Sequence, residues 1–142
     1  MIPASISKKL LPILIIFWSI IGIQEKTLAK PAEMSANYAA KLIQNEEYDK
    51  AISYLRFFLR SNRQNYNAWT LLGVSYFHTG LPKRSVKILR YAENKAGNRD
   101  YNHYYQGLAY DALKNKRLSR RYFKKVAMSS SRYADAASFE LA

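Results

Sequence analysis

Two histidines, His78 and His103, and ten acidic side chains are the raw material for acid–base chemistry in this 142-residue chain. An imidazole base needs a carboxylate to orient it, and Asp111 is the residue expected to fall near His78 on a neighbouring helix. No nucleophile or metal ligand accompanies that pair, so a polar contact on a binding surface accounts for it more simply than catalysis. His103 stands 34 residues after Trp69 and reads as a packing residue. Glu46, Glu47 and Asp49 form the one acidic cluster, at a turn and helix start where carboxylates favour the helix dipole. There is no phosphate-binding Gly-rich loop ending in Lys-Ser or Lys-Thr, no His-Glu-x-x-His and no Gly-x-Ser-x-Gly. With no cysteine at all, disulfides, thiolate zinc sites and cysteine nucleophiles are excluded. The expectation is a non-enzymatic protein with no cofactor and no metal.

Charge is the more distinctive chemistry. Lys114, Lys116, Arg117, Arg120, Arg121, Lys124 and Lys125 crowd one short stretch that contains no acid. On a helix, residues 116 and 120, 117 and 121, 120 and 124, and 121 and 125 become like-charge pairs that together cost about 1 to 2 kcal/mol. Lys83, Arg84, Lys87 and Arg90 extend the basic character to an earlier segment. Such a face keeps a protein soluble; as a functional surface it suits an anionic membrane or, for a chain that is not exported, nucleic acid.

The elements that carry these residues begin only after an N-terminal leader. Lys8 and Lys9 precede a 14-residue uncharged, mainly apolar run, Leu10 to Ile23, and Thr27-Leu28-Ala29 offers small residues at the cleavage positions. These are the parts of a secretory signal peptide over residues 1–29. The run is short for a bilayer core that needs roughly 20 residues, so cleavage is expected, with an uncleaved membrane anchor as the alternative. Residues 30–142 keep 20 basic against 9 acidic side chains, so the excess positive charge belongs to the folded part.

From residue 32 onward the sequence repeats without insertion in three blocks of equal length, 32–65, 66–99 and 100–133. Ser35, Trp69 and His103 align, as do Tyr38, Leu72 and Gln106; Ala39, Gly73 and Gly107; and Leu42, Tyr76 and Tyr110. Further on, Ala51, Ser85 and Ser119 align, then Leu55, Leu89 and Phe123, then Phe58, Ala92 and Val126. Apolar spacings of three and four predict two amphipathic helices per block. Breaks are expected at Asn45-Glu46-Glu47, at Thr79-Gly80-Leu81-Pro82 and at Lys114-Asn115. Gly73 and Gly107 each cost about 1 kcal/mol inside a helix, which makes sense where another helix approaches closely. Trp69 is expected to be the largest apolar anchor.

The aligned positions resemble the tetratricopeptide repeat family, whose first helix carries aromatic-x-x-Leu-Gly-x-x-Tyr and whose second carries small-x-x-x-large-x-x-small. Trp69, Leu72, Gly73, Tyr76, Gly80 and Ala92 match in the second block, whereas His103, Gln106 and Lys116 depart from the pattern in the third. The resemblance implies an all-α, right-handed α-solenoid of three helix-turn-helix repeats, with residues 134–142 as a short capping helix. It further implies a concave face lined by Ala36, Ala40, Ile43 and Gln44, then Thr70, Val74, Phe77 and His78, then Tyr101, Tyr104, Leu108 and Asp111. Ala40 and Val74 replace the polar residues with which relatives clamp acidic tails, so a peptide or partner helix with apolar side chains is the expected ligand. Lys116, Arg117, Arg120, Arg121, Lys124 and Lys125 would lie on the convex side. The expected function is an exported adaptor or scaffold of the cell envelope. Its expected partner is a protein or peptide, with an anionic membrane surface as the alternative, nucleic acid a poor match for an exported chain, and self-association open to the C-terminal end.

Overall fold

The computed structural model describes residues 35–142; the signal peptide expected over residues 1–29 lies outside them. Among the described residues there are seven α-helices and no strand. They are α1 (Ala36–Gln44), α2 (Tyr48–Ser61), α3 (Tyr66–His78), α4 (Pro82–Ala92), α5 (Arg99–Ala112), α6 (Lys116–Ala127) and α7 (Ala134–Phe139). Each packs on its neighbours in the chain, and α3 also touches α1 and α5, so the odd-numbered helices α1, α3 and α5 form a row.

The three short turns are built alike. Glu46, Gly80 and Lys114 have φ of 60°, 74° and 60°, the left-handed conformation that closes a helix with a Schellman motif. Its two hydrogen bonds recur: Glu46 N to Ile43 O and Glu47 N to Leu42 O; Gly80 N to Phe77 O and Leu81 N to Tyr76 O; Lys114 N to Asp111 O and Asn115 N to Tyr110 O. These turns stand at one constant spacing along the chain, and α2, α4 and α6, which start at Tyr48, Pro82 and Lys116, keep the same interval. Pro82 opens α4, where its missing N–H costs nothing. The side chains of Asn65 and Asn115 cap α3 and α6 by accepting from Ala68 N at 2.9 Å and Leu118 N at 3.1 Å.

The close approaches read from Gly73 and Gly107 are present. A Cβ on Gly73 would lie 2.6 Å from Leu89 Cγ, and one on Gly107 would lie 2.5 Å from the Phe123 ring. The main apolar cluster joins α1, α2 and α3 through Ala39, Leu42, Leu55, Phe58, Leu59 and Leu72. A second joins α6 and α7 through Phe123, Val126 and Ala137, with Leu141 packed against it. The terminal helix therefore covers one side of α6, although it ends at Phe139 rather than running to residue 142. Trp69 packs against the main cluster but is not the largest buried anchor expected. It sits half-buried with its ring edge against Tyr91, and its Nε1 donates to Arg63 O at 2.8 Å; the largest fully buried side chain is Phe123. A ring nitrogen that needs an acceptor holds Trp69 at the edge of the fold.

Between the two apolar clusters, buried apolar residues such as Val74, Leu89 and Ala109 share the interior with a polar network. Asn102, fully buried on α5, donates to Thr70 Oγ1 at 3.1 Å and to Leu89 O at 3.0 Å, and accepts from Gln106 Nε2 at 2.8 Å. Beside it, Glu93 Oε1 meets His103 Nε2 at 3.1 Å and Lys125 Nζ at 3.2 Å, while Glu93 Oε2 accepts from the Tyr122 hydroxyl at 3.2 Å. A carboxylate can only accept, so the His103 Nε2 carries a proton. Burial opposes the charge on Glu93, but Lys125, Gln106 and His103 outweigh it and hold the carboxyl below its usual range. Burial and the Lys125 cation lower the pKa of His103, which Glu93 only partly offsets. The same burial and the facing Glu93 push the Tyr122 phenol up to about 12. His103 is thus a packing residue, as expected, but one held by a carboxylate.

Candidate partner-binding groove

Along the row of odd-numbered helices runs a groove of about 590 Å³. Ala40, Ile43 and Gln44 come from α1, Leu71 from α3 and Arg99, Asp100 and Tyr101 from α5; Gly97, Asn98 and Ser131 to Tyr133 close it from the connecting segments. The lining combines apolar and aromatic side chains with polar ones from Gln44, the first turn of α5 and the connecting segments. A polar depression of about 760 Å³ lies between the turns around residues 60–67 and Lys95. There Asn67 Oδ1 accepts from Gly97 N at 2.9 Å and Lys95 Nζ donates to the Tyr66 hydroxyl at 3.2 Å, two bonds that join the turns.

The groove continues into an unbroken chain of rings. Tyr48 stacks on His78 with centroids 4.4 Å apart and planes 2° from parallel. His78 Nε2 lies 3.1 Å from the Tyr105 hydroxyl. Tyr105 meets Phe77 at 5.7 Å, Tyr101 at 4.9 Å and Tyr104 at 5.7 Å, and Tyr133 joins Tyr101 at 5.3 Å and Tyr104 at 5.8 Å. Most of these contacts are edge-on or tilted, the geometries that aromatic quadrupoles prefer. Burial lowers the pKa of His78, with Glu46 opposing, so the ring is neutral near pH 7. Burial pushes the Tyr101 and Tyr105 phenols upward, so both stay protonated.

No family model matches the chain, and no curated protein matches it either.

Of the expected lining residues, Phe77, His78, Tyr101 and Tyr104 are brought together by the ring chain. Leu108 sits half-buried against the cluster around Phe123. Thr70 is a correction: it is fully buried, donating to Tyr66 O at 3.2 Å and accepting from Asn102, and so serves the α3–α5 contact rather than an open lining. Val74 is fully buried too. Asp111 does not meet His78; its Oδ1 accepts from Lys116 Nζ at 2.7 Å, across the turn into α6. The orienting carboxylate expected for a His78 base is therefore engaged elsewhere. Among the described residues no group of three or more His, Asp or Glu side chains converges to hold a metal ion.

Leu71 and Tyr133 in the lining, and Tyr105 and Tyr48 in the ring chain, were not expected. Tyr105 and Leu71 share one register position in successive blocks, and that equivalence was available in the sequence. Tyr133 comes from the end of a connecting turn, which a search along helix faces passes over, and Tyr48 is the first residue of α2.

The basic side chains Lys116, Arg117, Arg120, Arg121, Lys124 and Lys125 are all exposed on α6. Two of them have acidic partners that the local run did not suggest: Lys116 pairs with Asp111, and Lys125 with Glu93 while also lying 4.7 Å over the Tyr122 ring. Lys124 and Lys125 occupy the last turn of α6, where the helix dipole favours cations.

Proposed function

We propose that this chain is an exported, three-repeat α-solenoid of the tetratricopeptide type that binds a peptide or partner helix in the groove along α1, α3 and α5. The solenoid reading is supported by three like Schellman turns and three second-helix starts that recur at one constant interval. Export rests on the order of basic, apolar and small residues in positions 8–29. Its work would then be that of an adaptor or scaffold in the cell envelope, periplasmic in a bacterium and otherwise secreted, and membrane-anchored where the signal stays uncleaved.

The binding role is carried by one observation. A groove lined in part by the apolar and aromatic side chains of Ala40, Ile43, Leu71, Tyr101 and Tyr133 continues into preassembled rings. Tyr side chains supply large contact area at low entropy cost, and rings already packed together lose little more on binding. Such a lining recognises apolar and aromatic side chains spaced along a helix or an extended strand of peptide. The test is selection from a random peptide display library against the immobilised full chain, washed at about 500 mM salt to strip charge-driven binders. Enrichment of peptides with spaced apolar or aromatic anchors supports the reading; enrichment of acidic peptides alone, or of none, refutes it.

A further inference from the structure

We propose that the outer face of α4 and α6 docks on an anionic lipid bilayer, as a surface separate from the groove. Lys83 and Arg117, Lys87 and Arg121, and Arg90 and Lys124 are equivalent pairs in successive blocks, so each pair occupies the same position on its two helices. All are exposed, and among the described residues none has a carboxylate within ion-pair distance. Neither α4 nor α6 contains an acidic residue. The nearest candidates to neutralise them are already engaged, Glu93 with His103 and Lys125, and Asp111 with Lys116.

Positive charge alone would suit any polyanion. The feature that selects a bilayer is Met128, which is 88% exposed at the end of α6 and shares a shallow depression with Arg117, Arg120, Arg121, Lys124 and Lys125. An apolar side chain ringed by cations matches a membrane interface, where the apolar group passes below the phosphates and long basic side chains stay at headgroup level. A duplex backbone offers the cations phosphates but gives an exposed thioether nothing to enter. Both surfaces suit an envelope scaffold, with the bilayer held on the even-numbered helices and the partner on the odd-numbered ones.

The absence of cysteine makes the test direct, since Met128→Cys gives the full chain a single labelling site. An environment-sensitive fluorophore there, and at exposed Asn37→Cys on α1 as control, reports which face meets lipid regardless of the apolar leader. Vesicles of phosphatidylglycerol and phosphatidylcholine should shift the emission at position 128 to the blue and leave position 37 unchanged. Pure phosphatidylcholine should shift neither. The shift should weaken more than about tenfold in lipid affinity between 50 and 500 mM salt, and by a similar factor in Arg117→Glu/Arg121→Glu and, separately, in Lys83→Glu/Lys87→Glu. An unchanged emission at position 128 on anionic vesicles overturns the proposal, as does an equal shift on pure phosphatidylcholine. Tighter binding to a double-stranded DNA oligomer than to the anionic vesicles also overturns it, in favour of nucleic acid.

Discussion

His103 Nε2 on α5 lies 3.1 Å from Glu93 Oε1 at the end of α4, so a buried imidazole and a nearly buried carboxylate join two successive helix pairs. Both groups have folded-state pKa values below their ordinary ones. A lowered pKa means that the folded protein binds fewer protons than the unfolded chain, so stability is present at neutral pH and lost on acidification. Urea unfolding should therefore give a midpoint that is flat from pH 7 to about pH 9, below the tyrosine range, falls as the pH drops through 6.5, and falls again below 4.5, the ordinary values of the two groups. His103→Gln should flatten the upper part of that profile, leaving the share due to His78, whose pKa is lowered as well. A mutant profile that matches wild type throughout would remove His103 from the explanation.

Gly107 and Phe123 fit together without room for a methyl group. Gly107→Ala should destabilise the fold by about 1 to 3 kcal/mol through overpacking, despite the better helix propensity of alanine. Gly97→Ala is the control, because a Cβ there meets nothing closer than 3.8 Å, and it should change stability by no more than about 0.5 kcal/mol. Equal effects of the two substitutions in thermal unfolding would mean that α5 and α6 do not pack as described.

Lys114 has a φ of 60°, as Gly80 has 74° at the equivalent place. A side chain in that conformation costs about 1 to 2 kcal/mol, of which glycine's extra freedom when unfolded returns part. Lys114→Gly should thus raise stability by about 0.5 to 1 kcal/mol, whereas Gly80→Ala should lower it. A loss of stability in Lys114→Gly would show that the side chain makes a contact that outweighs its strain.

The turns show how far sequence reasoning reached. Gly80 and Pro82 announce their break by residue type, while Glu46 and Lys114 do so only through the constant spacing from block to block; both kinds of signal are local or periodic. The polar network could not be read that way. Glu93 follows Ala92 at a helix end, in a stretch that reads as solvated, and its partners stand 10, 29 and 32 residues further on. Thr70 was misplaced for the same reason, since its partner Asn102 is 32 residues away and pulls it inward. The resemblance placed Tyr101 and Tyr104 on the expected lining, with packing between helices as the equal alternative, and both are half-buried among neighbouring rings. That Tyr105 and Tyr133 join them into a continuous surface depends on helix tilt and on where a turn ends, which no spacing within one helix encodes.

Partner binding should survive changes to the basic helix. Arg120→Glu with Arg121→Glu removes like-charge repulsion along α6 and leaves every groove contact in place. The double variant should be at least as stable as wild type, and its affinity for a groove-selected peptide should change less than about threefold, well under the effect of losing an anchor residue.

The central claim is that the groove between α1, α3 and α5 holds the partner, and the most direct measurement is the affinity of one library-selected peptide for three full-length chains by isothermal titration. Tyr133→Ala removes a ring from the wall, while Ala40→Arg fills the floor from a well-formed helix; both sites are only half-buried, so the fold should persist and circular dichroism should confirm it. Each should weaken binding by about 30-fold or more, the equivalent of an interface hot spot of about 2 kcal/mol. Wild-type affinity in both folded variants, with binding lost instead in Arg120→Glu/Arg121→Glu, would contradict the account and make the basic helix the partner-binding surface.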